Sequence, residues 1–385
     1  MPARRRWCFP VFPLNELDRR ILALCAPTAD VSPALGHPEA LVERAAALDV
    51  FPLVYCRLRH GSINGRPAPL RPEWEKRFRA NAARNLYLHN LQQRLLATLA
   101  AAGVLAAPLK GTTLAELAYS DLALRTQVDI DLYVPPQQLP AALEVLAARG
   151  YQRVAPLGLR PEQLAATGDE FTSECSLQST GTGLPVMLEL HWRLLPIADE
   201  ELQAALAPPG EGGAAGHALP PELNFLYLSV RAAAHRWGRL KLLTDLAHWL
   251  ARQPPAWEPL LGIAHRLRLR RLLSITLAAL ETYFETPVPE AVRAGLETAR
   301  PRRLPPAAVA NPFAPPPPLS PAAIHRLRLT LREDFRDRLG YLAQRLRPTA
   351  SDLAAVRLPS SLRGVYWGIR WLRLTRLLNR RPSRN

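Results

Sequence analysis

The run Val128 to Val134 constrains this chain most. Val128, Ile130, Leu132 and Val134 alternate with Asp129, Asp131 and Tyr133, and Pro135-Pro136 stops the run. Side chains along a strand point to opposite faces in turn, so the pattern predicts a strand over 127–134 with one face in a core. Val128, Ile130, Leu132 and Val134 are expected to be buried. The other face then presents two carboxylates aimed the same way. Acids on a half-buried strand are costly without a partner. Asp129 and Asp131 are therefore candidates for binding a shared divalent cation, with solvated surface acids as the plain alternative.

Upstream, Leu105 to Leu109 is a short apolar run, broken at Gly111 and followed by Thr112-Thr113 and the periodic Leu114, Leu117 and Ala118. It reads as strand 104–109, a tight turn and helix 112–119. Backbone N–H groups at such a turn can hold an anion, and Lys110, Gly111, Thr112 and Thr113 stand there. Lys110 is one of three lysines, with Lys76 and Lys241, against 46 arginines. The plain reading of the turn is a helix N-cap at Thr112 or Thr113. Downstream, an expected strand 184–193 puts Met187, Glu189 and His191 on one face and Val186, Leu188 and Leu190 on the other. Glu189 is the candidate third carboxylate, with a solvated edge-strand face as the alternative. His191 would contact phosphate or orient Glu189, or else be a satisfied strand histidine.

These strings resemble a family. Leu109-Lys110-Gly111-Thr112-Thr113-Leu114, Tyr119-Ser120-Asp121, Arg125 and Asp129-Ile130-Asp131-Leu132-Tyr133-Val134 are similar to the bacterial "uncharacterised nucleotidyltransferase" family of the DNA polymerase β-like nucleotidyltransferase superfamily. Gly150-Tyr151, Glu189-Leu190-His191-Trp192-Arg193, Ala234-His235-Arg236-Trp237, Leu243-Thr244-Asp245-Leu246 and Leu358-Pro359 to Arg373-Leu374 extend the likeness. The resemblance implies that Asp129, Asp131 and Glu189 are the catalytic, metal-holding acids, with Glu189 helping to activate a hydroxyl. It implies that Lys110, Gly111, Thr112 and Thr113 line a triphosphate and that Arg125 contacts a phosphate. His191, His235 and Trp237 would border an acceptor pocket. The alternative for His235 and Trp237 is packing between helices, with Asp245 as a hydrogen-bond partner. The implied activity is Mg²⁺- or Mn²⁺-dependent transfer of a nucleoside monophosphate from an NTP to an acceptor hydroxyl. The acceptor would be a small molecule, peptide or protein in a bacterial biosynthetic or defence pathway. A binding or accessory protein that keeps the fold without turnover is the other class of reading. Two departures stand out: Thr112 follows Gly111 where the best-known superfamily members carry Ser, and the gap to Asp129 is long, as in the abortive-infection branch.

The expected fold class is α+β. A small mixed β-sheet core over 103–207 is set between an N-terminal helical region, 1–102, and a C-terminal helical region, 208–385. Periodic apolar residues predict a helix opened by Asn15 or Asp18, one around Leu41 to Leu48 and a long one over 74–102. Helix 137–149 with Gly150 as its cap, a strand near 151–155 and a strand 171–177 turning at Gly181-Thr182-Gly183 complete the core. A flexible break is expected at Pro208 to Gly213. Helices are expected from Pro221, over Leu240–Leu250 and over Leu260–Tyr283, with a proline-rich surface connector at 301–321.

Composition then limits partners. The net charge of +16 is nearly all arginine, spread along an Ala-, Leu- and Pro-rich chain without interleaved stacking aromatics, so nucleic acid is a less favoured partner. Cys8, Cys25, Cys56 and Cys175 have no zinc or disulfide spacing and suit a reducing cytoplasm. No apolar stretch reaches the length of a membrane span, so no transmembrane segment is expected. The tail from Ser360 to Asn385 holds seven arginines and no acid. It reads as a basic amphipathic helix that docks its apolar stripe on the body, or lies on an anionic membrane.

Overall fold

Strand β4 (Asp129–Tyr133) lies in a five-stranded mixed sheet ordered β3 (Ala107–Pro108), β4, β7 (Met187–His191), β6 (Glu174–Ser179), β5 (Tyr151–Ala155). A separate small hairpin joins β1 (Ser62–Ile63) to β2 (Arg66–Pro67). The structure, a computed structural model, describes residues 9–28, 38–63, 66–67, 70–157, 159–165, 173–180, 185–196, 199–206, 218–299, 304, 308–346, 352 and 364–379. Strands β4 and β7 are parallel, and the other pairs in the sheet are antiparallel. The register sets Asp129 opposite Met187, Asp131 opposite Glu189 and Tyr133 opposite His191.

The helices before and within the sheet are α1 (Glu16–Cys25), α2 (Pro38–Ala47), α3 (Phe51–His60), α4 (Pro72–Ala101), α5 (Gly111–Leu114), α6 (Leu139–Ala148), α7 (Pro161–Ala165) and α8 (Asp199–Leu206). Those after it are α9 (Pro221–Ala234), α10 (Leu240–Arg252), α11 (Trp257–Arg266), α12 (Arg270–Phe284), α13 (Glu290–Leu296), α14 (Pro321–Leu331), α15 (Phe335–Leu346) and α16 (Val365–Asn379). The protein is thus mostly helical with one small mixed sheet, an α+β fold.

The alternation of β4 places its two faces in different surroundings. Ile130, Leu132 and Val134 join Leu188 and Leu190 in a core with Leu88, Leu95 and Leu99 of α4 and Leu143 and Leu146 of α6. Burying each such side chain is worth about 1.5–3 kcal/mol, which offsets the cost of holding acids on the opposite face. On that face Tyr133, Ala107 and Leu109 join a second core with residues of α1, α3, α9, α10 and α12. The first and last helical parts of the chain therefore share one hydrophobic cluster, and the acids of the sheet look toward it.

Several expectations change. Val128 is 64% exposed rather than buried, because it precedes the first ladder pair at Asp129. The first strand shrinks from 104–109 to Ala107–Pro108. Pro108 lacks an N–H and is tolerated because β3 is an edge. The expected helix 112–119 is one α turn that widens into a π-helical turn over Ala115–Tyr119 and stops at Ser120, whose φ is +57°. Helix α3 was not predicted. The expected helix from Leu260 to Tyr283 is instead α11 and α12, broken where Arg268 takes φ +57°.

Other elements fall as expected. Asn15 caps α1, its side chain accepting the Asp18 N–H at 2.7 Å. Gly150 closes α6 at φ +80°, a conformation that glycine adopts freely. Strand β6 lies at 174–179 where 171–177 was expected; Phe171, Thr172, the Gly181–Gly183 turn and the Pro208–Gly213 break lie outside the described residues. Of the expected surface connector 301–321, Pro315 to Pro318 are exposed, whereas Ala308, Val309 and Phe313 are buried in the main core and 301–303 and 305–307 lie outside the described residues. No described helix is long and apolar enough to cross a membrane.

Candidate active site on the acidic face of the sheet

Parallel pairing puts Asp131 and Glu189 on adjacent strands at the same height. His191, two residues beyond Glu189, points to the same face. Its Nε2 lies 2.9 Å from Asp131 Oδ1 and 3.6 Å from Glu189 Oε2. Ligand atoms of Asp131, Glu189 and His191 all lie within 4.8 Å of one another. Lys110 reaches in from the β3–α5 turn and sets its Nζ 2.7 Å from the same Asp131 oxygen. Asp131 and His191 are buried, whereas Glu189 is open to solvent on one side.

The electrostatics follow from this crowding. Burial alone would raise the Asp131 carboxyl, but the Lys110 charge and the His191 hydrogen bond overrule it and hold it well below the usual carboxylate range. Burial alone would lower His191 and Lys110, yet Asp131 holds both above their ordinary values, helped at His191 by Glu189. Asp129 sits two residues back on the same strand, outside the convergent trio. Its carboxyl is pushed up by burial and then by the Asp131 and Glu189 charges. The sequence grouped Asp129, Asp131 and Glu189; the structure brings together Asp131, Glu189 and His191, with Asp129 alongside.

Behind the turn the polar groups are incompletely satisfied. Gly111 has φ +65°, and a Cβ there would meet Gln127 Oε1 at 3.5 Å. Thr112 Oγ1, both side-chain polar atoms of Gln127 and the Tyr227 hydroxyl are buried without a hydrogen-bond partner among the described residues. Buried polar groups are normally bonded, so orphans in one region point to a polar ligand. Neither threonine caps the helix: Lys110 is the N-cap without a side-chain bond, and Thr113 Oγ1 accepts from Gln92 Nε2 of α4 at 3.0 Å.

Arg125 is placed differently from expectation. It is buried and gives Nε and Nη2 to the two Asp245 oxygens of α10 at 2.9 and 3.0 Å. Asp245 also accepts the Tyr119 hydroxyl at 2.7 Å. Arg125 therefore ties the segment before β4 to α10 instead of standing free for phosphate. Trp237 is fully buried and donates Nε1–H to Thr276 at 3.0 Å, so it packs between helices rather than bordering a pocket. His235 does line a cavity of about 340 Å³ with Pro316, Pro317 and Leu331. Burial, then the Arg239 and Arg231 charges, lower His235 to about 4.

Four residues at the site, Glu174, Tyr227, Arg231 and Lys241, carry no sequence motif of their own. Glu174 of β6 faces His191 across the ladder, its Oε2 3.6 Å from His191 Nδ1 and 3.6 Å from Arg231 of α9. Lys241 of α10 makes no ion pair among the described residues. It feels Asp129 and Asp245, and burial and Arg125 lower it to about 8. The available signals were the polar residues Asn224, Tyr227 and Arg231 at one-turn spacing on an apolar helix, and the scarcity of lysine.

A profile of the family described as "uncharacterised nucleotidyltransferase" matches residues 36–285, which include every residue of this cluster. The chain belongs to that family. No curated protein matches it significantly. Membership brings a nucleotidyltransferase affiliation.

Proposed function

We propose that this nucleotidyltransferase family member transfers a nucleoside monophosphate from an NTP to an acceptor hydroxyl with the help of Mg²⁺ or Mn²⁺. The observation that carries the reading is the in-register pairing of Asp131 with Glu189, with His191 and Lys110 converging on the same oxygen. Carboxylate oxygens suit hard divalent cations, and the orphaned polar atoms beside Gly111 suit a phosphate, so the residues fit both groups. Asp129, Asp131 and Glu189 would hold the metal, which when bound supplies positive charge to the phosphates and the leaving group.

The chain's own groups do the rest. Lys110, now 2.7 Å from Asp131, would be free to turn to the triphosphate were that carboxylate to hold a metal, and the Thr112 hydroxyl would donate to a phosphate oxygen. Lys241 supplies a second positive charge near Asp129. The acceptor oxygen attacks the α-phosphorus, the bond to the β-phosphate oxygen breaks, and pyrophosphate leaves. Glu189 Oε2 takes the acceptor proton, and His191 Nε2 orients that carboxylate from 3.6 Å. Arg125 is a positioning residue. The cavity beside His235 is assigned to the acceptor, whose class is a small molecule, peptide or protein. The protein is assigned to the cytoplasm, where NTPs and reduced thiols coexist.

One observation favours a second reading, an accessory protein that binds nucleotide without turnover: Lys110 and His191 already satisfy Asp131. Calorimetry with ATP, GTP, CTP and UTP plus Mg²⁺, alongside a pyrophosphate assay with candidate acceptors, separates the two. Pyrophosphate release that Glu189→Gln abolishes supports transfer. Tight binding without release supports the accessory role, and absence of binding removes both.

A further inference from the structure

The C-terminal helices carry an inverted polarity. On α16 Arg370, and in part Arg373, turns to the body: Arg370 gives Nε and Nη2 to the Arg345 carbonyl at 2.9 and 2.8 Å and pairs with Asp352 at 3.5 Å. Arg373 donates to Asp352 at 3.1 Å, and Asp352 itself is fully buried. Tyr366 is buried on this same inner side. Of the apolar residues expected to dock, Val365, Trp367, Trp371 and Leu372 face outward instead, Ile369 is half-buried, and the side chains of Leu374 and Leu378 lie outside the described residues. Trp371 is 56% and Leu372 63% exposed, and Val365 and Trp367 are also exposed. On the neighbouring α15, Phe335 (75% exposed), Leu339 and Leu342 form a second open stripe at one-turn spacing. Seven of the thirteen exposed large hydrophobic side chains among the described residues thus sit on these two helices. An apolar patch concentrated in this way, with the polar side of its helix turned to the body, marks a surface that another phase or molecule covers.

Charge selects what covers it. After Asp352 the sequence holds eight arginines and no acid, and the whole chain carries +16. The exposed Arg336 and Arg338 flank the α15 stripe. A second copy would bring like charge against like. An anionic bilayer offers the opposite charge, and paired tryptophans favour the level of lipid headgroups. We propose that α15 and α16 form a peripheral membrane-binding surface that inserts Trp367, Trp371 and Leu372 into the headgroup layer of an anionic bilayer. The surface lies beyond the family match at residue 285, so it is independent of the transferase reading.

The test is co-sedimentation of the full-length protein with phosphatidylcholine vesicles, with and without phosphatidylserine. The expected result is binding that requires phosphatidylserine, weakens as salt rises and shifts tryptophan emission to the blue. Replacing both tryptophans (Trp367→Ser with Trp371→Ser) lowers partitioning by about tenfold or more. The melting temperature falls only slightly, because about half of each side chain (46% of Trp367 and 56% of Trp371) is already in water. Leu372→Ser acts in the same direction to a smaller degree. Equal binding to neutral vesicles, or undiminished binding by the double variant, would overturn the proposal. So would a protein that ignores vesicles, whether it stays monomeric or doubles its mass through this face.

Discussion

Removing either partner of the Arg125–Asp245 pair should unfold much of the protein's margin of stability, and removing both should restore most of it. Both side chains are buried, the pair is bidentate at 2.9 and 3.0 Å, and Asp245 carries a third bond from Tyr119. Either single substitution, Arg125→Leu or Asp245→Leu, strands an opposite charge in a dry site, at a cost of about 3–5 kcal/mol. Total stabilities are about 5–15 kcal/mol, so each single variant should lose a large share. The double leucine variant leaves no stranded charge and should cost less than either single change. Urea unfolding followed by circular dichroism gives the four values of the cycle. Single variants within about 1 kcal/mol of wild type, or additive losses, would refute the view that this pair is a desolvated tether between the segment before β4 and α10.

Lys241→Met should raise stability at neutral pH by about 1–2 kcal/mol while weakening NTP binding, because the buried ammonium, lowered to about 8, is held charged at a cost; thermal unfolding and calorimetry read the two effects, and a loss of stability would contradict it. His248 stacks on Tyr119 with centroids 4.3 Å apart, and burial holds it at about 4. The unfolded chain, titrating near 6.5, takes this proton first, so stability should fall as pH drops from about 6.5 to about 4, by about 3 kcal/mol. His248→Gln should flatten that slope in pH-dependent unfolding, and an unchanged slope would exclude His248 as its source. Asp131→Asn should destabilise as well as inactivate, because it leaves the buried Lys110 ammonium without its carboxylate; a melting temperature equal to wild type would show that Lys110 finds another partner.

The fold was legible where local pattern and tertiary environment agree. Strict alternation ended by Pro135-Pro136 located β4, and its two acids led to the site. The long apolar period of α4 and the Asn15 cap were equally local signals. Where tertiary contacts decide, the sequence misled. Val128 continues the alternation but precedes the ladder, so nothing covers it. Helix α3 begins Phe51-Pro52-Leu53-Val54-Tyr55, a β-branched and aromatic string whose proline is harmless only at a helix start. The break between α11 and α12 interrupts an apolar period that runs on through Leu267, Leu269 and Leu272. At the site, Glu189 and His191 followed from strand parity. Glu174, Tyr227 and Arg231 meet the cluster through β6 and α9, contacts no local period encodes. The tail inverted because Arg370 and Arg373 found one buried carboxylate, Asp352.

Manganese binding in the presence of a non-hydrolysable NTP analogue, followed by electron paramagnetic resonance, bears most directly on the acidic cluster. Glu189 is partly open and Asp129 makes no ion pair among the described residues, so Glu189→Gln and Asp129→Asn perturb the site without stranding a buried charge. The expected result is a bound Mn²⁺ signal in wild type that weakens by about tenfold or more in each variant at unchanged melting temperature. Equal Mn²⁺ affinity in all three proteins would contradict the assignment of these carboxylates to a metal.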